Sequence, residues 1–382
     1  MQRTPQQWSY WEKDLYLDGI EVAILGAGIV GLTTAIFLKQ QRPSWKIQVF
    51  DQWTIGGGAT TRNAGFACFG SPTELVSDLA TQDEAATFAL VKARWEGLQL
   101  LQRTVDMQKA DYVTCGGYEV FFPDDQSAWD KTVDHLPRFN QLAEEVTGVK
   151  NAYQILTPAA SGLPFAGLEQ VVFMPHEARI HPGKMHQLLV TQAIRLGVPV
   201  IRGVEVEHIH TDGTYAQMTT SEHGILRARQ IVVATNGFTR RLLPDVDVLP
   251  ARNQVLVTEP IPGLTWDGTF HYQEGYVYFR RIGDRILLGG MRHIDKMAEM
   301  TDDLSQTTVI QEALEHFLTK RLLAGKNVAI TDRWSGILGV GAQKWPILKR
   351  LDNNLIVAVR MGGMGVALGT GLGQQAAALT IS

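Results

Sequence analysis

Residues 20–51, IEVAILGAGIVGLTTAIFLKQQRPSWKIQVFD, constrain the fold more than any other stretch. The apolar run 20–25 reads as a buried strand. Gly26-Ala27-Gly28-Ile29-Val30-Gly31 follows, and the apolar spacing then turns helical, with Val30, Thr34, Phe37, Leu38 and Gln41 three to four residues apart. Pro43 and Ser44 end that helix, and a second strand over 46–50 closes at Asp51. Each part has a physical task. Gly26 permits the tight strand-to-helix turn, Gly28 lets a pyrophosphate approach the backbone, and Gly31 lets helix and strand pack closely. The helix start, at Ile29 and Val30, offers free N–H groups and a partial positive charge to phosphates. Asp51 lies 25 positions after Gly26 (51 − 26 = 25), close to where an acid takes a ribose hydroxyl. A lone GxGxxG is a weak signal. Framed by strand, helix and acid, it predicts a dinucleotide site; an ordinary βα turn is the competing reading.

A second glycine-rich stretch runs from Ile55 to Phe66 as IGGGATTRNAGF. It has few side chains to pack but can lie along a ligand, and its hydroxyls and Arg62 suit phosphate or ribitol oxygens. A surface loop is the alternative. The net charge of −4 excludes nucleic acid and anionic membranes as evident partners. Cys68 and Cys115 make no disulfide framework, so a reducing, cytoplasmic compartment is expected. The opening arm has Trp8, Tyr10, Trp11 and Tyr16 among charges and lacks a signal-peptide core; its aromatics are expected to pin it to the surface. Residues 361–382 carry no charge but six glycines, which speaks against a stable membrane anchor.

Further along, helices are predicted over 83–109, 125–147, 185–196 and 304–323, with a final small-residue helix running into Ala376–Ala378. Strands are predicted over 118–122, 171–174, 198–201, 204–209, 216–220 and 231–234, the last suiting a central parallel strand. Strands at 255–258, 276–281 and 285–288 follow at hairpin spacing and look antiparallel, with Gly283-Asp284 turning the last pair. A short buried strand follows at 355–359. The expected fold class is therefore α/β: a Rossmann-like nucleotide domain (1–75, 179–245 and 331–382) with an inserted α+β antiparallel-sheet substrate domain (76–178 and 246–330).

Together these residues resemble the D-amino-acid-oxidase-like family of FAD-dependent oxidoreductases, over nearly the whole chain. The anchors are Gly26–Gly31, Asp51, the 56–65 stretch, Val204-Glu205-Val206, Ala234-Thr235-Asn236-Gly237 and the glycines from Gly362 to Gly373. Arg62-Asn63-Ala64-Gly65 and Trp8-Ser9-Tyr10-Trp11-Glu12 look most like the gamma-glutamylputrescine-oxidase branch, beside glycine and sarcosine oxidases. The resemblance implies FAD, with the pyrophosphate at the first glycine loop and the ribose at Asp51 and Gln52. Ala59, Thr60, Thr61 and Arg62 would follow the pyrophosphate and ribitol, and Asn63, Ala64 and Gly65 would approach the ring. The backbone of Val206 would meet the adenine. Ala234, Thr235, Asn236 and Gly336 complete the expected contacts, and Gly362, Gly363, Met364, Gly365 and Val366 would lie at the pyrimidine end of the flavin. Relatives with covalent FAD use a C-terminal-region Cys that is missing here, so the FAD is expected to be non-covalent. Gly289 falls where some relatives carry an oxygen-activating Lys. The electron acceptor, O2 or another, is thus left open.

The implied reaction oxidises a carbon–nitrogen bond of a small amine or amino acid by hydride transfer to flavin N5. The strand over 276–281 alternates, and Tyr276, Tyr278 and Arg280 share one face that would suit an amine over the flavin. His181 and His293 are candidates for tuning amine protonation. No metal site is read. Relatives that take amino acids clamp the carboxylate with an Arg that aligns with Leu338, which favours an amine lacking a neighbouring carboxylate. The alternative is a clamp by Arg252, Arg280 or Arg292. Rival readings are a nicotinamide-dependent reductase and a flavin-binding protein without turnover.

Overall fold

The structure is a computed structural model that describes residues 8–382. Residues 1–7, the start of the arm and of the expected 1–75 segment, lie outside the described residues. Two large sheets organise the chain. The first has five parallel strands in the order Leu355–Val359, Gly224–Val233, Ile20–Leu25, Ile47–Asp51 and Val200–Arg202. Ile347–Asp352 adds antiparallel at one edge, and the hairpin of Val206–Thr211 and Ala216–Thr220 attaches to Gly224–Val233. Strands covered on both faces need apolar side chains on both, which explains the unbroken apolar runs read in the sequence. Val22, Ala23 and Ile24 are all fully buried.

Helices Ile29–Gln41 and Gly365–Ile381 pack on each other in the core over one face of this sheet. Their approach is close: a Cβ on Gly373 would fall 2.0 Å from Thr33 Oγ1. The uncharged, glycine-rich C-terminus is thus a buried helix-packing surface. Among the described residues no helix is long and apolar enough to cross a membrane.

The second sheet runs in the order Ile330–Val340, Leu249–Thr258, Arg285–Gly290, Val277–Ile282, Thr269–Tyr272, Gly117–Phe121, Gln170–Met174 and Gln154–Leu156. All its pairs are antiparallel except Thr269–Tyr272 with Gly117–Phe121. Alternation divides its faces. Phe270, Val277, Phe279 and Leu288 pack with Ile310 and Leu314 of helix Thr308–Phe317. Side chains one residue out of phase point the other way. Register therefore lines up Glu119, His271, Tyr278 and Gly289 as one cross-strand row on the opposite face.

The fold class stands as read, with several local corrections. Residues 331–340, expected with the nucleotide domain, pair with Leu249–Thr258 in the second sheet, because the eleven-residue strand Ile330–Val340 finds its hydrogen bonds there. Helix Glu84–Thr104, expected in the substrate domain, buries Leu90, Leu98 and Leu101 in the first core, and a Cβ on Gly97 would meet the Ala367 carbonyl at 1.9 Å. The helix expected over 304–323 starts only at Thr308. Thr307 donates its N–H to Gln254 Oε1 and Ser305 N–H goes to Asp303 Oδ1, which holds 303–307 out of helical form. The arm is pinned in part: Trp8 lies 5.2 Å from the His223 ring, but Tyr10 and Trp11 are 70% and 75% exposed. The Ser9–Glu12 capping box starts a turn that faces them to solvent.

Candidate cofactor cleft and adjoining cavity

At the carboxyl ends of the parallel strands, three helix starts open into one cleft. They belong to Ile29–Gln41, to the short Ala59–Arg62 turn and to Gly365–Ile381. Gly28, Gly58 and Met364 precede them, none with a side-chain cap, and no first turn carries an acid. N–H groups left without an N-cap side chain, with an aligned dipole, suit an anion, although Ile29 N–H is taken by Thr60 Oγ1. The turn at Gly26 needs its glycine: φ is +105°, and a Cβ would meet the Ala234 carbonyl at 2.7 Å. Gly31 is not among the residues lining this cleft and serves packing, since a Cβ there would lie 1.9 Å from the Gly26 carbonyl.

The loop is braced from below. Asp51 accepts from Ala27 N–H at 2.7 Å and from Trp53 N–H at 2.8 Å. Thr60 Oγ1 accepts from Ile29 N–H at 3.0 Å. His186 Nε2 reaches the Ala27 carbonyl at 2.8 Å, and burial pushes its pKa down. Of the expected cofactor contacts, Gly26, Gly28, Ile29, Val30, Asp51, Gln52, Thr60, Val206, Ala234, Thr235, Asn236 and Gly365 line this cleft. Thr61 turns away, its hydroxyl held by the Gly56 carbonyl at 3.2 Å. The residues fit FAD: glycines leave room for a pyrophosphate, and the cleft reaches from Val206 at one end to Gly363 at the other.

A second cavity adjoins the first. Ala59, Asn63, Leu338, Gly363 and Val366 line both. Arg62, Ala64, Gly65, Gly336, Gly362 and Met364 line the second alone, with Tyr276, Tyr278, Phe66, Arg292, Cys68 and His271. Arg62 thus lines the second cavity and not the cleft. Its Nη1 donates to the Ser335 carbonyl at 2.9 Å. Tyr278 occupies the space over Gly289, where a Cβ would lie 2.6 Å from its ring.

The three candidate clamps separate clearly. Arg252 is buried in a bidentate pair with Glu299, both bonds at 2.9 Å. Arg280 spends its donors on the Ala64 carbonyl at 2.6 Å and the Ile180 carbonyl at 2.9 Å, and burial lowers its pKa to about 10. Neither lines the cleft or the second cavity. Arg292 lines the second one, its guanidinium 5.1 Å from the centroid of the Tyr276 ring. His293 sits exposed beside Tyr276, outside the lining. His181 caps helix Pro182–Arg195 through Lys184 N–H at 3.3 Å.

Several wall residues were missed in the sequence. His271 and Glu177 are both buried, with His271 Nε2 2.8 Å from Glu177 Oε2. Burial disfavours the imidazolium, but the neighbouring Glu177 charge outweighs it and the His271 pKa rises. Glu74 and Lys344 also line the cavity, 3.2 Å apart, and Arg94 Nη2 reaches Glu74 at 2.8 Å. Burial would raise the Glu74 pKa; the Arg94 and Lys344 charges override it and hold it at about 2. The alternating Thr269-Phe270-His271-Tyr272 before a Gln-Glu-Gly turn was the one available signal for His271. Nothing local marked Glu177 or Lys344.

A family profile described as "DAO: FAD dependent oxidoreductase" matches residues 21–379. The D-amino acid dehydrogenase of Allorhizobium ampelinum is 22% identical, over 93% of this chain and 93% of its own length. Among solved structures, L-proline dehydrogenase from P. horikoshii superposes with a TM-score of 0.75 at 18% identity, covering 95% of this chain and 93% of that one. Glycine oxidase from Geobacillus kaustophilus gives 0.74 at 20% identity, with 94% of both chains covered. At these identities the structures show a shared fold.

Proposed function

The chain belongs to the family of FAD-dependent oxidoreductases, and on that premise we propose that it oxidises the carbon–nitrogen bond of a small amino acid. FAD would bind non-covalently in the glycine-lined cleft, with its ring where the two cavities meet, and the substrate would sit in the second cavity. The observation that carries the amino-acid reading is Arg292. It lines that cavity, and among the described residues it enters no ion pair, whereas Arg94, Arg252 and Arg360 do. A cation held at a cavity wall without an ion-pair partner suits a carboxylate.

FAD, when bound, accepts the hydride that leaves the substrate carbon. The chain's own residues bind and orient. Arg292 fixes the carboxylate, and Tyr276 holds the guanidinium by its ring face. Phe66, Tyr276 and Tyr278 exclude water from the reacting carbon. The uncapped start of helix Gly365–Ile381 stabilises negative charge at the adjacent end of the cleft. Tyr278 fills the place over Gly289 where a lysine would stand, which supports an acceptor other than O2. Both cysteines are unpaired, in keeping with a cytoplasmic location.

Leu338, at the junction of the cavities, supports a second reading, an amine without a carboxylate. Kinetics on matched pairs, an amino acid and its decarboxylated analogue, separate the two. The amino acid is expected to win by tenfold or more in kcat/KM, about 1.4 kcal/mol, and Arg292→Ala to erase that preference. An equal or better free amine, with a ratio untouched by Arg292→Ala, overturns the amino-acid reading. A flavin that no member of either series bleaches anaerobically would make the chain a flavin-binding protein without turnover.

A further inference from the structure

On the wall of the second cavity, Cys68, His271 and Glu177 come together from three distant segments. Their ligand atoms all lie within 4.8 Å of one another, and all three residues are buried. Cys68 and His271 line the cavity; Glu177 stands behind them. Glu177 Oε2 is occupied, by His271 Nε2 and by Thr269 Oγ1, each at 2.8 Å. Glu177 Oε1 is buried with no hydrogen-bond partner, although the side chain is only 1% exposed. A buried carboxylate oxygen without a donor is costly, and native interiors rarely leave one.

We propose that Cys68, His271 and Glu177 form a binding site for a thiophilic divalent cation, with Zn2+ as the type case. Sulfur, imidazole nitrogen and carboxylate oxygen are the ligand set that zinc takes. The cation gives Glu177 Oε1 the partner it lacks. Its two positive charges balance a thiolate and a carboxylate, so the complex is neutral in a dry wall. As the metal bonds form, Cys68 releases its thiol proton to solvent, and His271, where it is imidazolium, releases its second ring proton, so that both bind in their ligating forms. Thr269 supplies the supporting hydrogen bond that steadies a ligating carboxylate. The side chains must close slightly from their present spacing, and the cavity is the entry path. Three protein ligands leave a fourth position open to the cavity, where water or the amine or carboxylate of a substrate would complete the shell. Metal binding is read without turnover, and its outcome is independent of the amino-acid reading.

The test is equilibrium dialysis of the holoenzyme against buffered Zn2+, with bound metal counted by elemental analysis. About one zinc per chain is expected. Cys68→Ala and Glu177→Gln, each checked for retained flavin, should bind at least tenfold more weakly, and Cys115→Ala should bind as the parent does. X-ray absorption on the zinc-loaded parent needs no variant. It should show one sulfur at about 2.3 Å and nitrogen or oxygen at about 2.0–2.1 Å. Equal zinc in parent and Cys68→Ala, or a shell of nitrogen and oxygen alone, would mean an adventitious ion only and would overturn the site.

Discussion

The cofactor cleft and the cavity beside it are built in opposite ways. The cleft is made largely of backbone: glycines that keep side chains out and helix starts that turn N–H groups inward. Much of it comes from short contiguous runs, and Asp51 and Thr60 only brace it. The cavity wall is made of side chains. His271, Tyr278, Arg292 and Lys344 come from separate segments: strand register sets His271 and Tyr278, an ion-pair network sets Lys344, and the Tyr276 ring packs against Arg292. The lesson is that a backbone site tolerates changes in charge but no added Cβ, while a side-chain site responds to single polar substitutions.

The largest expected effect lies in the cleft. A Cβ on Gly28 would fall 3.1 Å from Thr60 Oγ1, and a β-branched side chain would fill the pyrophosphate's space. Gly28→Val should yield protein without flavin, read from its visible spectrum, while acid precipitation of the parent should release free FAD. A coloured Gly28→Val protein would break the contrast.

Next comes pH, acting on the cavity. The Glu74 pKa is depressed in the fold to about 2, so its contribution is present above the ordinary value near 4.5 and is lost as pH falls towards 2. That window carries up to about 3 kcal/mol. Urea midpoints between pH 6 and pH 3 should fall, and Glu74→Gln should flatten much of the slope while lowering stability at pH 6.

Smaller effects sharpen the comparison. Gly289→Ala puts a Cβ into the Tyr278 ring. It should raise KM for the substrate several-fold, with the flavin dissociation constant unchanged; a loss of flavin instead would merge the two regions. Arg62→Ala removes a hydrogen bond to the Ser335 carbonyl. It should lower stability by about 1–1.5 kcal/mol, measured by urea unfolding, and change flavin affinity less than threefold. A larger change in flavin affinity would return Arg62 to the pyrophosphate and ribitol, where the family resemblance had put it.

The glycine cleft was legible because its information is local. Gly26, Gly28, Gly31 and Asp51 sit within one βαβ half, and the order of turn, helix start and acid follows from spacing. Of the strands that failed to register, Thr269–Tyr272 and Ile330–Val340 carry polar residues and pair with Gly117–Phe121 and Leu249–Thr258, far along the chain, while Gln154–Leu156 and Ile347–Asp352 are sheet-edge strands without a clean apolar alternation. Three arginines looked equivalent as clamps. Only packing distinguished them: Arg252 meets Glu299, Arg280 meets two carbonyls, and Arg292 meets the cavity.

By itself the sequence determined the fold class and the dinucleotide cleft, since backbone geometry and apolar periodicity are written in neighbouring residues, and its resemblance to a known family implied FAD. The tertiary structure decided which side chains line the second cavity. That depends on register across the second sheet, where Glu119 lies opposite His271 and His271 opposite Tyr278. Such a row joins residues about 150 positions apart along the chain (271 − 119 = 152), and one-dimensional spacing holds no record of it.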